Sequence, residues 1–128
     1  MITIWHNNRC SKSRDSLNLL SEKNESIELF EYLKNPPTVN QISEVLKKLN
    51  IPAIELVRKN EAIFKTTFKD KNLTEEEWIQ AFVEYPVLIE RPIVIKGNRA
   101  VIGRPIENVI IIFTLSSLVF SPISFIIV

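Results

Sequence analysis

A chain of 128 residues, 45% hydrophobic and 24% charged, has the makeup of one globular domain with enough apolar mass for a core. A net charge of +1 gives no bulk electrostatic case for nucleic acid or an anionic membrane surface. A single cysteine excludes an internal disulfide and any multi-cysteine metal site, and it suits a reducing compartment such as the cytoplasm. The first residues lack the basic start and cleavage site of a secretory leader, so none is expected.

Residues 2–5 (ITIW) are β-branched and aromatic and read as a strand. Ser11 to Lys23 fits an amphipathic helix, with Leu17 and Leu20 three apart and Leu19 widening the stripe. Residues 26–33 (SIELFEYL) carry Ile27, Leu29, Phe30 and Tyr32 and read as a second strand, broken by Lys34-Asn35-Pro36-Pro37. Thr38 and Gln41 have the spacing of a capping box. The helix that follows runs to about Leu49, with Ile42, Val45, Leu46 and Leu49 on one face. Pro52 interrupts the chain, and residues 53–59 (AIELVRK) read as one short helix. Thr74 and Glu77 form a second capping box, and the helix Glu75 to about Glu84 should bury Trp78, Ile79, Phe82 and Val83. Residues 92–96 (PIVIK) and 99–102 (RAVI) read as strands joined by a Gly97-Asn98 turn. Gly103-Arg104-Pro105 leads into a last helix starting near Ile106.

This order predicts an α/β fold. The first β-α-β favours a right-handed parallel crossover. The hairpin adds antiparallel strands, giving a mixed four-stranded sheet with helices and a helical insertion at about 36–86.

The chemistry concentrates in HNNRCSKSR, residues 6–14. Cys10 sits just before a helix, beside Arg9, Lys12 and Arg14. A helix start and nearby cations both lower a thiol pKa, and the free N–H groups there also receive anions. Ser13 occupies the place of the second sulfur in a Cys-x-x-Cys motif, so attack is possible but self-resolution is not. The blander alternative is a buried cysteine acting as a small hydrophobe. His6 has two readings, one orienting the loop near the thiolate and one capping the strand end. A phosphatase-type Cys-x5-Arg loop does not fit, because the arginine comes at Arg14 and position 16 is Ser16. Arg58 lies in LVRKN, Arg91 precedes Pro92 at a strand start and Arg104 precedes Pro105 before the last helix; taken singly, each also reads as a surface residue. Their planar forks suit oxyanions, and Arg91 and Arg104 flank the hairpin, so they could converge.

Residues 6–14 (HNNRCSKSR), 57–60 (VRKN), 90–95 (ERPIVI) and 103–105 (GRP) together resemble the glutaredoxin-coupled arsenate reductases of the thioredoxin-like superfamily, over roughly residues 3 to 108. The resemblance implies a thioredoxin-like fold and reduction of arsenate to arsenite. Cys10 matches the cysteine that attacks arsenic. Arg58, Arg91 and Arg104 match the arginines that bind the oxyanion. His6, Ser13 and Arg14 match loop positions that lower the thiol pKa, and Pro92 matches the cis-proline opposite the cysteine. Glutathione is the implied co-substrate and glutaredoxin the implied partner, with no bound cofactor, metal or nucleic acid. Asn8 stands where the family often has proline. A regulator resembling the Spx transcription factors and a glutathione-dependent thiol reductase with another substrate are the alternatives.

The domain is expected to span 1–108, followed by an apolar tail, 109–128 (VIIIFTLSSLVFSPISFIIV). Its 20 residues, 14 of them apolar, could span a bilayer, but four serines, Thr114 and Pro122 weaken that. Three readings stay open. They are a membrane anchor, an aberrant end, and a helix to about Phe113 packed on the sheet, followed by extended residues that cover an apolar surface or a partner.

Overall fold

The computed structural model describes residues 1–23 and 26–115. Its elements in chain order are β1 (Ile2–Trp5), α1 (Ser11–Ser21), β2 (Ile27–Phe30), α2 (Val39–Leu49), α3 (Glu75–Glu84), β3 (Ile93–Lys96), β4 (Arg99–Ile102) and α4 (Glu107–Leu115). The four strands form one mixed sheet in the order β2-β1-β3-β4, β1 and β2 being parallel and the other two pairings antiparallel. A parallel pair needs a crossover, which α1 supplies.

Strand alternation divides the core between the two faces of the sheet. Ile2, Ile4, Val94 and Val101 face Leu20 of α1 and Val109 and Ile112 of α4. Trp5, Ile93 and Ala100 belong to the larger cluster with Ile42, Val45, Leu46 and Leu49 of α2 and Trp78, Ala81 and Phe82 of α3. The fold is therefore a sheet between two helical layers.

Local chemistry sets the helix starts. The Thr38 hydroxyl accepts from Gln41 N at 3.1 Å while Thr38 N donates to Gln41 Oε1 at 2.9 Å. Thr74 and Glu77 repeat the exchange at 3.2 and 2.8 Å. Each box satisfies two N–H groups that a helix start leaves unpaired. The hairpin turns at Gly97, whose φ of 61° favours glycine.

Several boundaries depart from the sequence reading. α1 ends at Ser21, short of Lys23. β2 stops at Phe30, and Tyr32 turns into the core, 1% exposed. Ile79 and Val83 are only partly buried, while Ala81 is buried beside Trp78 and Phe82. Residues 53–59 are not one helix. Only Ala53–Leu56 forms a 3₁₀ turn, and Val57 then pairs with Ile89 in an antiparallel bridge. Arg58 N donates to Leu88 O at 2.7 Å and Glu90 N to Leu56 O at 2.9 Å. Those long-range bonds outcompete one more helical turn and set Arg58 opposite Leu88 and Leu56 opposite Glu90. A π-type turn at Phe64–Phe68, absent from the sequence reading, packs Phe64 and Phe68 on Trp78 with ring centroids 6.4 and 5.6 Å apart.

The first residues of the apolar tail lie in α4, with Val109 and Ile112 buried. The rest of the tail, 116–128, lies outside the described residues. Among the described residues no helix is long and apolar enough to cross a membrane.

Candidate active site

The sheet register gathers the site. Trp5, at the end of β1, pairs with Ile93 at the start of β3, and Ile93 pairs with Ile102 at the end of β4. The loop after Trp5, the Arg91-Pro92 junction and the Gly103-Arg104 junction therefore meet at one end of the sheet. Both Arg91-Pro92 and Arg104-Pro105 are cis peptides. Gly103 N donates to Pro92 O at 2.8 Å. A Cβ on Gly103 would stand 2.8 Å from Ser16 Oγ and 2.9 Å from Pro92 Cγ, so only glycine allows this approach.

Cys10 is the N-cap residue of α1 and is 8% exposed. Its pKa lies below the ordinary thiol value. Burial is the largest influence and pushes it up, but it is outweighed by the backbone N–H groups of Ser13 and Lys12 and the charges of Arg91 and Arg104. Arg104 Nη2 lies 3.4 Å from Cys10 Sγ. The same side chain donates from Nε to the Arg91 carbonyl at 2.7 Å, and Asn108 Nδ2 holds the Arg104 carbonyl at 3.2 Å.

The cations acting on the thiol are thus not its sequence neighbours. Arg9, Lys12 and Arg14 are exposed, and Lys12 contributes through its backbone. Arg14 Nη1 instead donates to Asn8 O at 2.9 Å, tying down the loop before Cys10. Ser13 is fully buried, and its hydroxyl accepts from Asn7 N at 3.3 Å. Cys10 N donates to Asn7 O at 2.9 Å, closing the turn before the helix.

Arg58, Glu90, Arg91 and Arg104 line one open cavity of about 450 Å³, with Lys59 and Glu55 at its exposed rim. Arg58 pairs with Glu61. Arg91 is 8% exposed, and its buried Nε has no hydrogen-bond partner among the described residues. Glu90 Oε1 lies 3.6 Å from Arg91 Nη1 and 3.7 Å from Arg104 Nε. His6 is not gathered into this cavity. It is buried and lines another, of about 230 Å³, with Asn7 and Glu31. Burial lowers its pKa, Glu31 opposing and Arg14 adding to the effect.

Two residues of this neighbourhood escaped the sequence reading. Tyr32 stacks on Trp5 at 6.3 Å, and burial pushes its phenol up to about 12, against the pull of Arg91 and Arg58. Glu90 was visible only as the acid preceding Arg91-Pro92.

The sequence model of the ArsC family matches residues 5–112. The "Uncharacterized protein YfgD" of Escherichia coli (strain K12) is 44% identical over 111 residues, covering 85% of this chain and 93% of that protein. An arsenate reductase of Neisseria meningitidis serogroup A is 36% identical, covering 84% of this chain and 94% of its own length. The solved structure of an arsenate reductase from Vibrio cholerae superposes with a TM-score of 0.82 at 34% identity, over 87% of this chain and 96% of that one.

Proposed function

The chain belongs to the ArsC family of thioredoxin-like oxidoreductases, and from that premise we propose that it reduces arsenate to arsenite through Cys10, with glutathione and glutaredoxin as external reductants. The observation that carries this reading is the contact of Arg104 with the Cys10 sulfur, at 3.4 Å, on the edge of a cavity that Arg58 and Arg91 also line. Nucleophile and oxyanion donors then share one place.

Arsenate enters with its oxygens toward the guanidiniums of Arg58, Arg91 and Arg104, whose planar donors match a tetrahedral anion. The Nε of Arg91, which has no hydrogen-bond partner among the described residues, supports this placement. The Cys10 thiolate attacks arsenic, and an arsenic oxygen leaves as water. Reduction of As(V) to As(III) takes two electrons. The sequence holds one cysteine, so a second thiol must come from outside. Glutathione attacks the adduct, an S–S bond forms between Cys10 and glutathione, and the two sulfurs supply the electron pair. Arsenite leaves, and glutaredoxin regenerates the Cys10 thiol by disulfide exchange. Ser13 and Pro92 are positioning residues. Ser13 presents its N–H to the sulfur, and Pro92 brings Gly103 and Arg104 against α1.

The test is arsenate-dependent oxidation of glutathione by the purified chain with glutaredoxin. Turnover that vanishes in Cys10→Ser, with the fold retained, is the expected result. Wild-type protein without turnover, or a Cys10→Ser variant with full turnover, refutes the reading.

A further inference from the structure

We propose that Glu90 determines which oxyanions the arginine cavity accepts, admitting tetrahedral anions that carry a proton and rejecting those that carry none. The proposal rests on the reading of this cavity as an oxyanion site. The backbone of Glu90 is fixed opposite Leu56 by the Val57–Ile89 bridge and by its own N–H on Leu56 O at 2.9 Å. Its carboxylate stands between two guanidiniums, 3.6 Å from Arg91 Nη1 and 3.7 Å from Arg104 Nε, and lines the cavity with all three arginines. Both distances are ion-pair contacts beyond hydrogen-bond length, so the carboxylate offsets the arginines' charge without taking up a donor; the Nε of Arg104 is already given to the Arg91 carbonyl, at 2.7 Å.

Charge makes Glu90 selective. Facing the Arg58, Arg91 and Arg104 cations are Glu61, on Arg58, and Glu90, between Arg91 and Arg104. The exposed Lys59 and Glu55 at the rim offset each other. The cavity therefore offers much less positive charge than its three arginines alone would. A carboxylate only accepts hydrogen bonds. An anion without a proton presents it with bare oxygens, and like charges meet at short range. An anion with one O–H donates that proton to Glu90 and turns its remaining oxygens to the guanidiniums. Arsenate and phosphate keep a proton at neutral pH, whereas sulfate keeps none.

Iodoacetamide alkylation of Cys10 in the full-length chain reads occupancy of the cavity without requiring turnover, with phosphate and sulfate as protecting anions at matched ionic strength and neutral pH. In the wild type, phosphate should protect at a concentration at least about tenfold below sulfate, as expected of a site that hydrogen-bonds a ligand hydroxyl. In Glu90→Gln the amide can donate to sulfate, and the preference should fall to about threefold or less. Glu90→Asp keeps a carboxylate and should keep phosphate ahead. A wild type without preference, a preference untouched in Glu90→Gln, or a preference lost equally in Glu90→Asp and Glu90→Gln would overturn the proposal. Arsenate turnover by the wild type, measured in parallel, separates the two claims. Selection through Glu90 without arsenate turnover overturns only the reductase reading, and turnover without selection through Glu90 overturns only this one.

Discussion

Replacing Arg104 by lysine isolates what the guanidinium fork does, because the charge stays and the geometry goes. Arg104 makes two directed contacts at once, Nη2 toward Cys10 Sγ at 3.4 Å and Nε to the Arg91 carbonyl at 2.7 Å. One ammonium cannot hold both directions, so at least one charge-assisted hydrogen bond is lost, worth about 1.5–3 kcal/mol. The side chain is 33% exposed, so water replaces part of that bond and the lower end applies. A loss of about 1.5–2 kcal/mol corresponds to a fall in kcat/KM of roughly 10- to 30-fold. Steady-state arsenate reduction with glutathione and glutaredoxin measures it. Alkylation of Cys10 against pH supplies an independent reading, whose inflection should move up because a directed partner of the thiolate has been removed. If Arg104→Lys left both kcat/KM and the inflection at wild-type values, Arg104 would have no part in activating the thiol.

The lowered Cys10 pKa also links stability to pH. The native thiol loses its proton more readily than the unfolded one, so its stabilisation is complete above the unfolded value of about 8.5 and is lost as pH falls through the native value. Wild-type stability relative to Cys10→Ser should therefore rise with pH across that window in denaturant titrations, and parallel curves would contradict it. Gly103→Ala places a Cβ within 2.9 Å of Pro92 Cγ and 2.8 Å of Ser16 Oγ, and overpacking of this kind costs about 1–3 kcal/mol. A denaturation midpoint equal to wild type would show that the junction gives way freely. A chain ending at Asn108 loses Val109 and Ile112, which are 0% and 1% exposed, at about 2–5 kcal/mol for the isoleucine and about 1.5–3 kcal/mol for the valine. It should unfold at much lower denaturant than a chain ending at Leu115, and equal midpoints would place α4 outside the core.

The elements legible in the sequence are those whose cause is local. Thr38 with Gln41 and Thr74 with Glu77 each carry both halves of a capping exchange within four residues, and both helices begin there. Gly97 supplies the positive φ of the hairpin turn from its own backbone freedom. The elements misread are those decided at a distance. Val57 looked helical from its neighbours, yet its partner is Ile89. Tyr32 prolonged an apparent strand, yet the chain has already turned at Glu31, whose carbonyl accepts from Lys34 and Asn35 at 3.0 Å. The fold class survived these errors because it depends on the order of elements more than on their ends.

The site divides along the same line. A lone cysteine before a helix is visible in nine residues, and the two N–H groups that face its sulfur, those of Lys12 and Ser13, belong to the same short stretch. Its electrostatics are not visible there. Arg9, Lys12 and Arg14 are the nearest cations in sequence, but the first turn of α1 presents their side chains to solvent. The charges that reach the sulfur, Arg91 and Arg104, come from the two ends of the hairpin. They arrive through register: Trp5 fixes Ile93, Ile93 fixes Ile102, and the next turn in each strand carries an arginine. A slip of one residue in either pairing would send the arginine-bearing junction to a new height and turn its strand over. The two-residue hairpin loop at Gly97-Asn98 and the close approach of Gly103 to Pro92 therefore act on the chemistry without touching substrate, by holding the position of a guanidinium 94 residues away from the sulfur it faces.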